Sequence, residues 1–214
     1  MAQITNFKDR ITDYAGSLVI EDDEALKQYT LDACQEIVKA LSMKKPNDLY
    51  KFTVQSNLIT SGDPVDVMNL KHIVAAVRDS VQATEGNALT AINYKDEGSI
   101  YFSSSRDPKY WVSNGALYIA PDPTPTEPAY YLYVPEFEIT NFSSGVTKVL
   151  DVDSGTQTFP QKYYEALILG CAIKVLNRRL NDYLEEDEDI ELVNGIQAQI
   201  ARVEKDYTKT LGLQ

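Results

Sequence analysis

Two apolar stripes at helical spacing fill the last third of the chain and constrain its fold more than any earlier segment. In the first, Leu167, Ile168, Cys171, Val175 and Leu176 follow a helical period, extended by Leu180, Tyr183 and Leu184. In the second, Ile190, Val193, Ile196, Ile200, Val203, Tyr207 and Leu211 recur at steps of three and four. Residues three and four apart share one helix face. Two such faces with a short connection bury each other as an antiparallel hairpin. Pro160 suits a first helical turn, where its missing N–H costs nothing. Gly170 lies beside the first stripe and permits close helix contact. The connection is the acidic run Glu185, Glu186, Asp187, Glu188, Asp189. It loads the C-terminus of one helix unfavourably and the N-terminus of the next favourably.

The N-terminal part reads in the same way. Phe7, Ile11 and Tyr14 give residues 4–16 a weak helical pattern. Glu21 to Glu24 places anions where a helix dipole favours them, and Leu26, Leu31, Cys34, Ile37, Val38 and Leu41 follow. Pro46 and Asn47 end that helix. Residues 49–140 change character: β-formers dominate, and turn signals recur at Ser61-Gly62-Asp63-Pro64, Glu85-Gly86-Asn87, Asp96-Glu97-Gly98 and Ser113-Asn114-Gly115. Leu117, Ile119, Tyr131 and Tyr133 suit strands. Lys71 to Ala83 is compatible with helix or strand, and its β-rich surroundings favour strand. Pro121 to Pro128 carries four prolines, so it is expected as an extended, polyproline-like loop. It reads as a stiff connector or as a projecting arm that touches a neighbouring subunit. The fold expected is α+β. A helical bundle forms from residues 1–48 and 158–214, with a β-rich antiparallel insertion over 49–157.

Charge narrows the function. The 214 residues carry 20 Lys and Arg against 32 Asp and Glu, a net charge of −12. Nucleic-acid binding needs clustered cations to neutralise phosphates, and anionic membranes need the same. An acidic wall instead repels a duplex and lets it slide past. The two cysteines, Cys34 and Cys171, sit within helical apolar patterns and fit buried free thiols. Met1 to Arg10 lacks an apolar core region, and no apolar run reaches transmembrane length. A soluble chain made in a reducing cytoplasm is the expectation.

No catalytic constellation emerges. The lone histidine, His72, has no nucleophile or orienting acid at recognisable spacing. Nucleophile-elbow, zinc-protease, P-loop and dinucleotide patterns are missing from the sequence. The acidic run lacks the alternation and glycine of a calcium loop. Asp151-Val152-Asp153-Ser154-Gly155-Thr156 has both but lacks the distal glutamate, and reads as an ordinary turn. No catalytic residue, metal or cofactor is therefore expected. Tyr130, Tyr131 and Tyr133 fall close together among 14 tyrosines. In a strand, Tyr131 and Tyr133 face one way and Tyr130 the other, so one face is core and the other a contact surface.

The order of these segments resembles the head-to-tail adaptor (connector or neck) proteins of tailed bacteriophages. The likeness is carried by Leu31-Asp32-Ala33-Cys34-Gln35-Glu36-Ile37, Ser99-Ile100-Tyr101-Phe102 and Asp107-Pro108-Lys109-Tyr110-Trp111-Val112. It continues through Gly115 to Pro123 and the tyrosine-rich strand. Phe159-Pro160-Gln161-Lys162-Tyr163-Tyr164-Glu165-Ala166-Leu167 then opens the last helices. The resemblance implies a non-enzymatic virion protein, made in the host cytoplasm and resident at the neck. It implies a ring of copies, commonly a dodecamer, bound to the portal and to tail or further neck proteins, with DNA only passing through its channel. Expected interface residues are Tyr130, Tyr131, Tyr133, Pro123, Pro125 and, at the portal-docking chain end, Leu211 and Leu213. Glu185, Glu186, Asp187, Glu188 and Asp189 are expected on a channel or solvent surface. A tail terminator or baseplate protein and a β-rich binding module are the alternatives.

Overall fold

The computed structural model describes residues 7–16, 23–68, 72–78, 87–88, 90–91, 103–104, 107–135, 137–139, 149–150, 159–185 and 190–212. The protein is α+β, with N-terminal helices, a C-terminal helical hairpin and antiparallel sheets between them. It divides into two compact units: Met1–Asp48 with Phe137–Gln214, and Leu49–Glu136. The chain thus returns to the helical unit at Phe137, earlier than residue 158. The short strands β9 (Glu138–Ile139) and β10 (Val149–Leu150) pair with each other there, and the Phe137 ring packs edge-on against Phe159.

The helical unit contains α1 (Phe7–Ala15), α2 (Asp23–Lys44), α3 (Tyr164–Glu185) and α4 (Ile190–Leu211). Every residue from Ala166 to Ala172 is buried. A helix apolar on all sides must be surrounded, and α1, α2 and α4 all pack on α3. Gly170 faces two neighbours at close range. A Cβ built there would lie 3.1 Å from the Ala33 Cβ on α2 and 3.5 Å from the Tyr207 ring on α4. The expected α2 stripe holds except at Leu31, which is only half-buried; Thr30 takes a buried position beside it. Thr30 satisfies its hydroxyl by donating to the Leu26 carbonyl at 2.8 Å, so no buried donor is left unpaired there.

Lys45, just past α2, donates from Nζ to the Leu211 carbonyl at 3.0 Å. A cation at the C-terminus of α4 meets the negative end of its dipole. Gly212 then closes that helix at φ +63°, the left-handed position that glycine takes without strain. Near the start of α3, Tyr163 donates its hydroxyl to Asp48 at 2.7 Å, and Lys162 reaches the same carboxylate at 3.0 Å. The C-terminal ends of α2 and α4 and the start of α3 therefore share one end of this unit.

In the other unit, two four-stranded sheets run β1-β8-β3-β4 and β2-β7-β6-β5. The ambiguous segment after Lys71 is a strand, β3 (His72–Arg78), paired antiparallel to β8 (Ala129–Val134) with a register shift between Ile73 and Ala75. Strands β6 (Lys109–Ser113) and β7 (Ala116–Ala120) form a hairpin. Its turn is Asn114-Gly115 at φ 51° and 75°, the double positive φ that a two-residue hairpin loop demands. β5 (Thr90–Ala91) joins β6 in parallel, whereas the other strand pairs among the described residues are antiparallel. Short β1 (Val54–Gln55), β2 (Val65–Asp66) and β4 (Asn87–Ala88) complete the sheets. The core is Ile59, Val67, Ala76, Leu117, Ile119, Ala129 and Tyr131.

Two glycines in the helical unit should respond to mutation in opposite ways. Gly195 on α4 has no atom within 4 Å of an added Cβ, so Gly195→Ala should raise stability by about 0.5–1 kcal/mol through helix propensity. Gly170→Leu should overpack against Ala33 and lower it by about 1–3 kcal/mol. Urea unfolding of both variants checks the pair. Leu176, fully buried on α3, should lose at least about 4 kcal/mol as Leu176→Asp, because the carboxylate has no buried partner. An unchanged melting temperature would contradict the central placement of α3.

Candidate functional site

The outer parts of the two C-terminal stripes are uncovered. From Ile196 onward the α4 stripe is largely shielded, with Ile200, Val203 and Leu211 buried and Tyr207 half-buried. At the hairpin tip, Leu184 is 55% exposed, Ile190 76% and Leu192 38%. The stripes therefore run further than the core that covers them, which corrects the expectation that Leu184 and Ile190 are buried. Neighbouring Asp182 and Glu191 are exposed. Glu185 is the last residue of α3, and Glu186, Asp187, Glu188 and Asp189 lie outside the described residues.

The opposite end of the helical unit also exposes an apolar side chain. Met43 on α2 is 67% exposed, because its step of two from buried Leu41 carries it off the core stripe. Lys39 lies one turn earlier on the same face and Lys44 follows, both exposed. The spacing Lys39, Met43, Lys44, Lys45 was a legible signal that sequence reasoning passed over.

Several expected interface residues turn out to be interior. Tyr131 is in the β core, and Tyr133 packs against that core from a half-buried position; their rings sit 5.5 Å apart. Tyr130 is half-buried. Pro123 and Leu211 are buried and offer no surface, whereas Pro125 is exposed. Leu213 lies outside the described residues, as does the Asp151–Thr156 turn. The proline segment is neither extended nor a free arm. Thr124 and Glu127 exchange backbone N–H to C=O bonds of 3.1 Å, closing a tight turn. Arg78, 2% exposed, donates to the Pro121 carbonyl and reaches Glu127 at 3.5 Å. A buried guanidinium needs such acceptors, so the loop is anchored from β3.

Between α2 and α3 lies a shallow polar groove of about 510 Å³, lined by Tyr29, Asp32, Lys174, Asn177, Arg178 and Asp182. Arg178 donates to the Tyr29 hydroxyl at 3.4 Å, and Lys174 to Glu36 at 2.6 Å. Its cations strap the two helices together, each exposed pair contributing at most about 1 kcal/mol. On α1, Arg10 and Tyr14 both donate to Glu165 of α3. The Tyr14 phenol is held above its ordinary value, first by that hydrogen bond and then by burial.

Both cysteines are buried free thiols. Cys171 donates to the Thr30 hydroxyl at 3.3 Å. Burial pushes its thiol up to about 12 and Cys34 well above its ordinary value. A group with little thiolate is a poor nucleophile and a poor metal ligand. Among the described residues no group of three or more His, Cys, Asp and Glu gathers to hold a metal ion, and no helix is long and apolar enough to cross a membrane. His72 is the first residue of β3.

No family model matches the chain, and no curated protein matches it.

The thiols make a measurable prediction. In the native protein neither should react with a thiol reagent at pH 8, and both should react once the chain is unfolded. Because the folded state raises the Cys171 pKa from 9.0 to about 12, its neutral-thiol contribution is complete below pH 9. It is lost as the pH rises through about 12, since the unfolded chain ionises first. Stability measured against pH should fall across that alkaline window, and Cys171→Ala should shallow the slope.

Proposed function

We propose that the protein is a head-to-tail adaptor of a tailed bacteriophage virion, a non-enzymatic structural protein that assembles as a ring between portal and tail. One observation carries the reading beyond the resemblance of the sequence segments. A long helical hairpin exposes Leu184, Ile190 and Leu192 at its tip beside Asp182 and Glu191. Exposed apolar side chains beside charged ones suit a protein contact. The net charge of −12 suits a channel that DNA crosses without adhering. Tyr163 and Thr30 are buried and hydrogen-bonded, and Tyr163 ties the start of α3 to half-buried Asp48.

The partners under this reading are the portal, tail or further neck proteins, and other copies of the chain. Purified protein mixed with portal rings should decorate them in electron micrographs. Bare portal rings at micromolar protein would remove the adaptor reading, and decoration of tail ends instead would favour a tail terminator. Duplex DNA should keep its mobility in a low-salt gel with the protein present, since attraction to phosphate requires cations that this chain does not concentrate. Retention of the duplex would contradict an acidic channel.

A further inference from the structure

The polar groove between α2 and α3 gathers more hydrogen-bonding groups than the packing of those helices uses. On α3, Lys174, Arg178 and Asp182 recur at steps of four and form one row, with Asn177 and Asn181 in a second row beside it. Tyr29 and Asp32, three residues apart on α2, line the other side. Part of this set is committed to structure. Lys174 donates to Glu36, Arg178 donates to the Tyr29 hydroxyl, and Gln28 donates to one Asp32 oxygen at 2.8 Å. Asn177, Asn181 and Asp182 are exposed and make no side-chain hydrogen bond or ion pair among the described residues. All three line one hollow of about 510 Å³, within the range of about 300–1,000 Å³ typical of small-molecule sites.

We propose that this groove is a binding site for a neutral saccharide. Charge argues first. Lys174 and Arg178 are matched by Asp32 and Asp182, so the groove exerts no net pull on an anion or a cation. Polarity argues next. Amides and carboxylates that leave water need equivalent hydrogen bonds in return, which an apolar ligand cannot supply. Each Asn amide presents one acceptor and two donors, and a sugar hydroxyl both gives and accepts. Hydroxyls along one edge of a sugar can therefore engage Asn177 and Asn181, one turn apart. Asp182 and the second Asp32 oxygen accept further hydroxyl protons. Tyr29 is half-buried, and Arg178 holds its hydroxyl. That fixes a ring against which the C–H face of a pyranose can pack, because the negative face of an aromatic ring attracts such groups. The site goes beyond the adaptor reading and does not rest on it.

The test is saturation-transfer difference NMR on the full chain with glucose, galactose, mannose and N-acetylglucosamine. Each is titrated to about 10 mM, since a shallow site with few contacts binds in the millimolar range. Glucuronic acid and glucose 6-phosphate serve as charged counterparts. At least one neutral sugar should receive saturation from the protein, and more than either charged sugar. Asn177→Ala with Asn181→Ala should weaken its binding by about tenfold, the loss expected of two hydrogen bonds. Both positions are exposed and alanine favours helix, so the variant should fold, which circular dichroism checks. Asn194→Ala, exposed on α4 and outside the groove, should bind like the wild type. Saturation of none of the four neutral sugars overturns the inference. So does binding that the double variant leaves unchanged, binding that Asn194→Ala weakens equally, or a stronger response from the charged sugars. Sedimentation of the same proteins reads the other occupant: self-association of the wild type that the double variant loses, with no sugar bound, would make the groove a contact between copies and overturn the saccharide site.

Discussion

The burial of α3 on all sides is the constraint on which the rest depends. From Ala166 to Ala172 no residue faces water. At about 25 cal/mol per Å² of apolar surface, such a segment is stable only when other helices surround it. α4 arrives by a short connection, but α1 and α2 lie more than a hundred residues upstream. The intervening chain must therefore leave and re-enter the same unit. It leaves after Asp48, which Tyr163 and Lys162 grip near the start of α3, and returns at Phe137, whose ring meets Phe159. The β unit is an insertion because the core helix requires its first partners to come from the other end of the chain. Closing so long a loop costs entropy that grows only slowly with length, so a large insertion is tolerated.

Close packing at Gly170 joins three helices at one point. Ala33 and Tyr207 approach one glycine from two helices, and a Cβ there would meet Ala33 at 3.1 Å, tighter than an ordinary contact, and Tyr207 at 3.5 Å, an ordinary one. The polar groups in this crowded region form short local bonds instead of reaching for water. Thr30 donates along its own helix and accepts from Cys171. Burial holds the thiols protonated, so neither places a charge in the interior of the helical unit.

The helical half was legible in the sequence because amphipathic periodicity is a local property, and residues three and four apart report on one face wherever the partner lies. The strand after Lys71 was legible for a related reason: turn signals bounded it. What escaped was set by tertiary context. The Tyr130–Tyr133 alternation indicated two faces without indicating which one is core, and the β3 register places Tyr131 inside. The four prolines implied an extended segment, but the Thr124–Glu127 turn and the Arg78 anchor depend on a residue from β3. The end of each apolar stripe was overestimated because periodicity shows where side chains point and not whether another element is long enough to cover them. Leu184 and Ile190 are the consequence. The second boundary was misplaced because the short strands after Phe137 carry the composition of the β region while pairing in the helical unit.

Net charge also changes meaning once it has a location. A value of −12 suggests a uniformly repulsive molecule, yet seven carboxylates without a single cation fall between Asp182 and Glu191. More than half of the net charge is thus concentrated in ten residues around one helical connection. The rest of the chain carries 20 Lys and Arg against 25 Asp and Glu, and the far end of the helical unit exposes Lys39, Lys44 and Lys209. Screening confines such fields to about 10 Å at ordinary ionic strength, so surfaces set about 33 Å apart by the 22 residues of α3 act independently.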